Sequence, residues 1–200
     1  MQITTVIMAG GLSRRMGRDK GLLPFGGESL LERMIQRWSG VFDAVAVSLD
    51  RPGRYGDLGV LELVDLRPGA GPMAGLEAAL SGCGTKGVFL TAVDLPFGEP
   101  ALARRLARES SGADVCLIRR ASGRPEPLFA LYTTACLPMI RQSLDRGERA
   151  LFRGLYPFVH VREIPEQELT GFDLDHILFN MNRPQDWQAA LAHEGHLPGK

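Results

Sequence analysis

The strongest constraint on the fold is a run of apolar and β-branched residues, Ile3–Met8, that is closely followed by a glycine pair. A run without alternating polar residues is typical of a strand buried on both faces, as in parallel sheets. Similar runs recur along the chain, separated by segments with the apolar spacing of helices. Strands that alternate with helices in this way predict an α/β fold with a mostly parallel sheet.

These patterns predict seven strands and five helices. The strands are expected at residues 4–8, 44–49, 60–64, 88–92, 114–118, 128–132 and 159–164, and the helices at 30–39, 73–80, 101–109, 134–146 and 184–191. Ser29 and Glu32 have the spacing of a capping box at the start of the first helix. A short extended run is also expected at 177–179. In such a sheet the carboxyl ends of the strands meet at one edge, where ligands bind.

Length, charge and cysteine content exclude several classes of protein. Two hundred residues suit one domain, and residues 193–200 are expected to form a flexible tail. Equal numbers of acidic and basic residues, 23 each, argue against general nucleic-acid binding. No apolar run reaches about 18 residues and the start lacks signal-peptide features, so we expect a cytoplasmic protein that does not bind membranes. Cys83, Cys116 and Cys136 are far apart and are expected to be free thiols.

A basic, glycine-rich loop follows the first strand. Its lysine, Lys20, does not directly follow a glycine, and Gly10 and Gly11 are adjacent, so neither the P-loop nor the Rossmann glycine pattern is present. Backbone N–H groups in a glycine-rich loop can still bind phosphate oxygens, and Arg15 and Lys20 can add charge-assisted hydrogen bonds. The loop is therefore predicted to bind phosphate, the alternative being a solvated basic loop.

Two carboxylates follow predicted strands, Asp65 and Asp94. Asp94 comes after a continuous apolar run and precedes Pro96, where an unpaired buried carboxylate would cost several kcal/mol. Binding of Mg²⁺ would offset that cost, because Mg²⁺ takes one or two carboxylates together with phosphate oxygens. The alternative for Asp94 is a helix cap. For Asp65 the sequence supports a ligand role and a turn role equally.

The remaining polar residues give no second candidate site. His160 is expected to be structural, and the spacing of His193 and His196 does not suit a metal site. No Gly-x-Ser-x-Gly motif is present, and no nucleophilic triad can be assigned from residue order.

Several motifs together resemble those of nucleotidyltransferases with the glycosyltransferase-A-like, Rossmann-type fold. More narrowly, they resemble the molybdenum cofactor guanylyltransferase family, and the similarity extends over about residues 3–190. The motifs are Ile7-Met8-Ala9-Gly10-Gly11 with Ser13, Arg15-Met16-Gly17 and Asp19-Lys20, then Gly71-Pro72-Met73-Ala74-Gly75-Leu76, Asp94-Leu95-Pro96, Pro127-Leu128-Phe129-Ala130-Leu131-Tyr132 and Asn180-Met181-Asn182 with Pro184.

This resemblance implies a three-layer α/β/α domain of the nucleotide-diphospho-sugar transferase type over residues 1–192. Its first half, about 1–100, would bind nucleotide, and its second half, about 101–192, would bind the acceptor. The implied reaction is transfer of GMP from GTP to molybdopterin, with Mg²⁺ as cofactor and pyrophosphate as the other product. Molybdoenzyme apoproteins or other cofactor-biosynthesis proteins are the implied protein partners.

The resemblance also implies roles for individual residues. Arg15, Lys20 and Asp94 would be catalytic, with Asp94 holding the metal ion. Asn180 and Asn182 would bind the acceptor. The nucleotide would be bound by Met8, Ala9, Gly10, Gly11, Lys20, Ser48, Asp65 and Asp94.

Two positions depart from the family pattern, and they leave the identity of the nucleotide substrate undecided. Met8 replaces the usual leucine, and Ser48 stands where the family often has an asparagine beside the nucleoside. The alternatives are a cytidylyltransferase for molybdopterin or a sugar-phosphate nucleotidyltransferase. A further alternative is a non-catalytic carrier of molybdopterin. The glycine pair favours guanylyl transfer, because the family's guanylyl form has Ala-Gly-Gly at this place.

Overall fold

The computed structural model describes residues 1–11 and 17–194. Its strands are β1 (Ile3–Met8), β2 (Pro24–Phe25), β3 (Glu28–Ser29), β4 (Ala44–Leu49), β5 (Leu61–Val64), β6 (Gly87–Ala92), β7 (Val115–Arg119), β8 (Ala130–Thr133) and β9 (Val161–Pro165). Its α-helices are α1 (Leu30–Trp38), α2 (Pro72–Gly82), α3 (Pro100–Glu109), α4 (Leu137–Asp145), α5 (Leu151–Gly154), α6 (Leu174–Ile177) and α7 (Pro184–Glu194). Single 3-10 turns lie at Lys20–Leu22, Thr134–Cys136, Tyr156–Phe158 and Glu166–Glu168.

Seven strands form one sheet in the order β5-β4-β1-β6-β8-β7-β9. Strand β8 runs antiparallel to both of its neighbours, and every other pair is parallel. The strands that continue into the predicted site loops, β1, β4, β5 and β6, therefore end at the same edge of the sheet. The prediction of an α/β fold with a mostly parallel sheet is confirmed.

Helices cover both faces of this sheet and form two apolar cores. Helices α1 and α3 pack on one face, and α2 and α4 pack on the other. In β6 the side chain of Phe89 lies in the first core, whereas Val88 and Leu90 lie in the second. All six residues of β6 are buried, which explains why the sequence shows a continuous apolar run there.

The start of α1 confirms the capping box. The Glu32 N–H donates to the Ser29 hydroxyl at 3.3 Å, and the Ser29 N–H donates to the Glu32 carboxylate at 2.9 Å. These bonds satisfy backbone donors that the first helical turn leaves without partners. Further along, Trp38 stacks on Phe89 with ring centroids 5.5 Å apart, so this helix is anchored directly over the central strands.

The prediction of an extended run at residues 177–179 is wrong. Helix α6 occupies the preceding segment and ends at Ile177. The Asp173 side chain accepts a hydrogen bond from the His176 N–H, and Leu174 and Ile177 are both buried at helical spacing. A local N-cap and two core contacts therefore favour a helical turn where the short apolar run alone suggested extended chain.

Three further features bear on the predictions. The last helix extends to Glu194, three residues beyond its predicted end, and residues 195–200 lie outside the described chain. All three cysteines are free thiols, and burial raises the pKa of Cys83 to about 11. Within residues 1–11 and 17–194, no helix combines the length and apolar character needed to cross a membrane.

Candidate active site

A cavity of about 650 Å³ opens at the carboxyl ends of β1, β4, β5 and β6. It is bounded by the loop after β1, the turn before α2, the segment after β6 and the segment before α7. Its lining residues are Met8, Ala9, Gly10, Gly11, Asp19, Lys20, Ser48, Asp50, Asp65, Pro68, Gly69, Gly71, Pro72, Ala92, Val93, Asp94, Leu128 and Asn182.

The glycine pair lies against the end of β4. The Ala9 N–H donates to the Ser48 carbonyl at 2.9 Å, and a Cβ on Gly10 would stand 3.0 Å from the backbone nitrogen of Asp50. Only glycine fits at position 10 without displacing that backbone. Among the residues described, no acceptor binds the N–H of Gly10 or Gly11. Both glycines line the cavity, and backbone amides in such loops can bind phosphate oxygens.

Lys20 brings the two ends of the predicted site together. Its ammonium nitrogen lies 2.9 Å from Asp94 Oδ2 and 3.4 Å from Asn182 Oδ1. The Met181 N–H donates to the Asp94 carbonyl at 2.9 Å, which holds the segment before α7 beside the segment after β6. Lys20 lines the cavity and is only 6% exposed, so its charge is little screened by solvent.

Asp65 lies on the opposite side of the cavity, beside Ser48. The Ser48 hydroxyl opposes part of the rise in the pKa of Asp65, and the Asp65 N–H donates to the Leu49 carbonyl at 2.9 Å. Burial is the larger cause and the negative charge of Asp50 the smaller, and together they raise the pKa of Asp65 to about 6. A carboxylate with this pKa changes charge between about pH 5 and pH 7.

A glycine of α2 makes room for this group. A Cβ on Gly75 would come within 2.4 Å of the Met8 methyl carbon and 3.0 Å of the Ser48 hydroxyl. The same position lies 3.5 Å from Asp65 Oδ1. Gly75, in the first turns of α2, therefore lets three predicted nucleotide-binding residues meet at one point: Met8 of β1, Ser48 of β4 and Asp65, which follows β5.

Asp94 is the group that could hold a metal ion. Its side chain is 28% exposed, and one of its oxygens pairs with Lys20. No cluster of three or more His, Cys, Asp or Glu suited to a metal occurs in the described parts of the chain. One carboxylate together with substrate phosphates is a usual way to bind Mg²⁺. The donor set therefore fits a metal ion that is bound jointly by protein and nucleotide.

Most of the predicted site residues line the cavity. They are Met8, Ala9, Gly10, Gly11, Lys20, Ser48, Asp65, Asp94 and Asn182. Asn180 is exposed and is not part of this lining, so its predicted acceptor contact remains a prediction. Arg15 lies outside the described residues.

Several residues at the site were missed by sequence reasoning. Asp50 directly follows a strand, the same signal that singled out Asp65 and Asp94, and could have been found in that way. Arg54 and Tyr55 lie in the connection between β4 and β5 and hydrogen-bond to the loop after β1. Their sequence context, next to a Pro-Gly turn, carries no signal for this role.

A glycine-rich loop, a buried lysine and strand-end carboxylates at one edge of a mostly parallel sheet are the arrangement expected of a nucleotidyltransferase. Comparison with known proteins identifies the family. Residues 5–162 match the model of the MobA-like NTP transferase domain, and the chain belongs to that family.

Curated relatives extend this similarity over most of the chain. The chain is 37% identical over 187 residues to a probable molybdenum cofactor guanylyltransferase from Pelotomaculum thermopropionicum, which covers 93% of this chain and 90% of that protein. It is 35% identical over 195 residues to the molybdenum cofactor guanylyltransferase of Mesorhizobium japonicum, covering 92% of each protein.

A solved structure with a related name has a similar fold. Molybdopterin-guanine dinucleotide biosynthesis protein A from Archaeoglobus fulgidus superposes with a TM-score of 0.83 at 25% identity, covering 97% of this chain and 100% of that one. A more distant likeness, to 2-C-methyl-D-erythritol 4-phosphate cytidylyltransferase from Thermus thermophilus, has a TM-score of 0.67 at 21% identity and concerns the fold alone.

Proposed function

We propose that this protein transfers GMP from GTP to the molybdopterin form of the molybdenum cofactor, releasing pyrophosphate. The products would be the guanine dinucleotide form of the cofactor and pyrophosphate. The observation that carries the proposal is the meeting of Gly10, Lys20 and Asp94 in one cavity of a chain whose relatives are named molybdenum cofactor guanylyltransferases. We also propose that the reaction takes place in the cytoplasm.

The residues suit a reaction in which the protein positions and neutralises the reactants. An oxygen of the molybdopterin phosphate attacks the α-phosphorus of GTP, and the bond to the bridging oxygen of pyrophosphate breaks. Nucleotidyl transfer of this kind needs charge stabilisation more than covalent help from the protein. The amides of Gly10 and Gly11 and the ammonium of Lys20 are proposed to bind the triphosphate, and Arg15 is proposed to add a further positive charge.

The remaining residues are proposed to select and orient the two substrates. Ser48 and Asp65 offer a hydroxyl and a carboxylate to the nucleoside, on the side of the cavity opposite Lys20. Asn182, hydrogen-bonded to Lys20, is proposed to contact the acceptor where it meets the phosphates. Asp94 would hold Mg²⁺, and the metal would neutralise charge that develops on the departing pyrophosphate.

Transfer from labelled nucleotide tests the proposal. Purified protein is mixed with molybdopterin, Mg²⁺ and GTP labelled at the α-phosphate, and label is followed into the dinucleotide product. Asp94→Asn preserves the size of the side chain but removes its charge, and transfer should fall at least about 100-fold. Asp57→Asn is the matched control, because Asp57 is exposed and lies outside the cavity lining. Equal transfer by both variants would contradict the role of Asp94.

A second candidate, cytidylyl transfer to molybdopterin, rests on Ser48. The hydroxyl that replaces the family's usual asparagine is shorter and offers a different contact to the base. The same assay with labelled CTP separates the two candidates. The carrier alternative is tested by Asp94→Ala, since a carrier that only binds molybdopterin should keep its function in this variant.

A further inference from the structure

The connection between β4 and β5 places an arginine behind the phosphate-binding loop. The Arg54 side chain is only 7% exposed. Its Nε lies 2.8 Å from Asp19 Oδ2, and a terminal nitrogen lies 2.8 Å from Asp50 Oδ1. The other terminal nitrogen donates to the Gly11 carbonyl at 3.1 Å. One guanidinium thus joins the start of the loop, its end and the end of β4.

The next residue, Tyr55, contacts the same two ends of the loop. Its hydroxyl lies 2.7 Å from Asp19 Oδ1 and 3.2 Å from the Ala9 carbonyl. A Cβ on Gly21 would come within 2.7 Å of the tyrosine ring, so ring and backbone are in close contact. Burial and the charge of Asp19 raise the pKa of Tyr55 well above its ordinary value, and the phenol therefore remains a hydrogen-bond donor.

Asp19 transmits these contacts to the lysine of the site. Its carboxylate also accepts the Gly21 N–H at 3.1 Å and so caps the 3-10 turn that begins at Lys20. Lys20 is the first residue of that turn, and its ammonium nitrogen lies 2.9 Å from Asp94 Oδ2. Three donors, from Arg54, Tyr55 and Gly21, therefore fix the carboxylate next to the phosphate-binding lysine.

We propose that Arg54 and Tyr55 are positioning residues for nucleotide binding. They contact the carbonyls of Ala9 and Gly11 and so hold the glycine pair in the wall of the cavity, and they fix Lys20 through Asp19. Arg54 also neutralises two carboxylates that would otherwise repel a triphosphate. This inference rests on the proposed function, because it assumes that the cavity binds a nucleoside triphosphate.

Charge and geometry make separable contributions in this arrangement. Lysine at position 54 keeps the positive charge but cannot reproduce the planar set of donors that reaches Asp19, Asp50 and Gly11 together. Phenylalanine at position 55 keeps the ring against Gly21 and removes only the hydroxyl. These two conservative variants therefore test positioning with little change in packing or charge.

The test measures binding and kinetics in the full-length protein. Binding of GTP and of GMP is titrated by calorimetry, and KM and kcat are measured for GTP and for molybdopterin. Tyr55→Phe and Arg54→Lys should each weaken GTP binding about tenfold, which corresponds to about 1.4 kcal/mol. The loss should be larger for GTP than for GMP because the loop acts on the phosphates, and the KM for molybdopterin should stay within about twofold of the unmodified value.

Two variants provide matched controls. Arg51→Met removes an exposed arginine from the same connection, and Tyr156→Phe removes a partly buried hydroxyl that hydrogen-bonds to Tyr132 at 2.9 Å, away from the loop. Both should bind GTP as the unmodified protein does. Thermal unfolding of every variant gives its stability, so loss of folded protein is distinguished from a shift in KM.

Specific results would overturn the inference. If Arg54→Lys and Tyr55→Phe bind GTP like the unmodified protein, the contacts do not position the loop. If Tyr55→Phe lowers only the stability, with the affinity, KM and kcat for GTP unchanged as expected for Tyr156→Phe, Tyr55 is structural only. If the unmodified protein binds neither GTP nor GMP, the proposed function itself is wrong. Binding by the unmodified protein therefore separates failure of the proposed function from failure of this inference.

Discussion

Replacement of Asp65 by asparagine should stabilise the protein and weaken nucleotide binding. The Asp65 carboxylate is half-buried and close enough to Asp50 for that charge to contribute to its raised pKa of about 6, against 3.8 for an ordinary aspartate. Because the folded protein binds the proton more readily than the unfolded chain, the ionised carboxylate opposes folding. Asparagine keeps an oxygen that can accept from Ser48 and removes the charge.

The size of the effect follows from the pKa shift. Roughly two units correspond to about 3 kcal/mol at about 1.4 kcal/mol per unit. Since Asp65 is partly exposed, screening by solvent reduces this to about 1 kcal/mol. The unfavourable contribution is absent below pH about 4, grows as pH rises from about 4 to 6, and is constant above pH 6. Asp65→Asn should therefore stabilise the protein at pH 7.5 and not at pH 4.

Nucleotide binding should change in the opposite direction. An ionised Asp65 can accept hydrogen bonds from a nucleoside, and loss of a charged acceptor weakens binding by about tenfold or more. For the unmodified protein, GTP binding should weaken as pH falls through about 6, the pKa of Asp65. For Asp65→Asn the binding should be weaker at pH 7.5, and the ratio of the two affinities should approach one at pH 5.

Chemical unfolding and calorimetric titration, each at several pH values, measure both effects. Asp57→Asn serves as the control for loss of an exposed carboxylate. A variant that is equally destabilised at pH 4 and pH 7.5 would show that Asp65 contributes through packing, and would refute the reasoning from its raised pKa.

Three further changes have defined outcomes. Gly10→Ala should lower the free energy of unfolding by about 1–3 kcal/mol in denaturant titration, because its Cβ meets the backbone of Asp50, whereas Gly11→Ala, with nothing within 4 Å, should not. Lys20→Met should lower kcat at least about 100-fold in the transfer assay, and retention of wild-type kcat would remove Lys20 from the mechanism. Glu77→Ala should cost about 2 kcal/mol of unfolding free energy, since this buried carboxylate pairs with two arginines, and an unchanged thermal midpoint would contradict it.

The parallel part of the fold was predictable because its strands are buried on both faces. Continuous apolar runs such as β1 and β6 are typical of strands buried in a parallel sheet. The polar residues that follow such strands lie at the same edge of the sheet. That rule alone placed Asp65 and Asp94 in the cavity. The convergence of Met8, Ser48 and Asp65 over Gly75 was not predictable from patterns, because it depends on the distance between α2 and the sheet.

Other parts depend on contacts between distant segments, which periodicity does not reveal. Arg54 is 35 residues from Asp19 in sequence and its burial is compensated only in the folded chain. The segment before Asn180 was expected to be extended, but the Asp173 cap and the buried Leu174 and Ile177 make it helical. The hydrogen bond from Met181 to Asp94, rather than a strand, brings Asn182 to the site.

The most direct test of guanylyl transfer compares two nucleotides in one assay. The protein, Mg²⁺ and molybdopterin are incubated with α-labelled GTP or α-labelled CTP, and labelled dinucleotide and unlabelled pyrophosphate are measured. The protein, with Gly10, Lys20, Asp65 and Asp94 lining its cavity, should transfer label from GTP to molybdopterin. One pyrophosphate should be released for each product molecule. Absence of transfer from GTP, with efficient transfer from CTP, would contradict the assignment of the nucleotide.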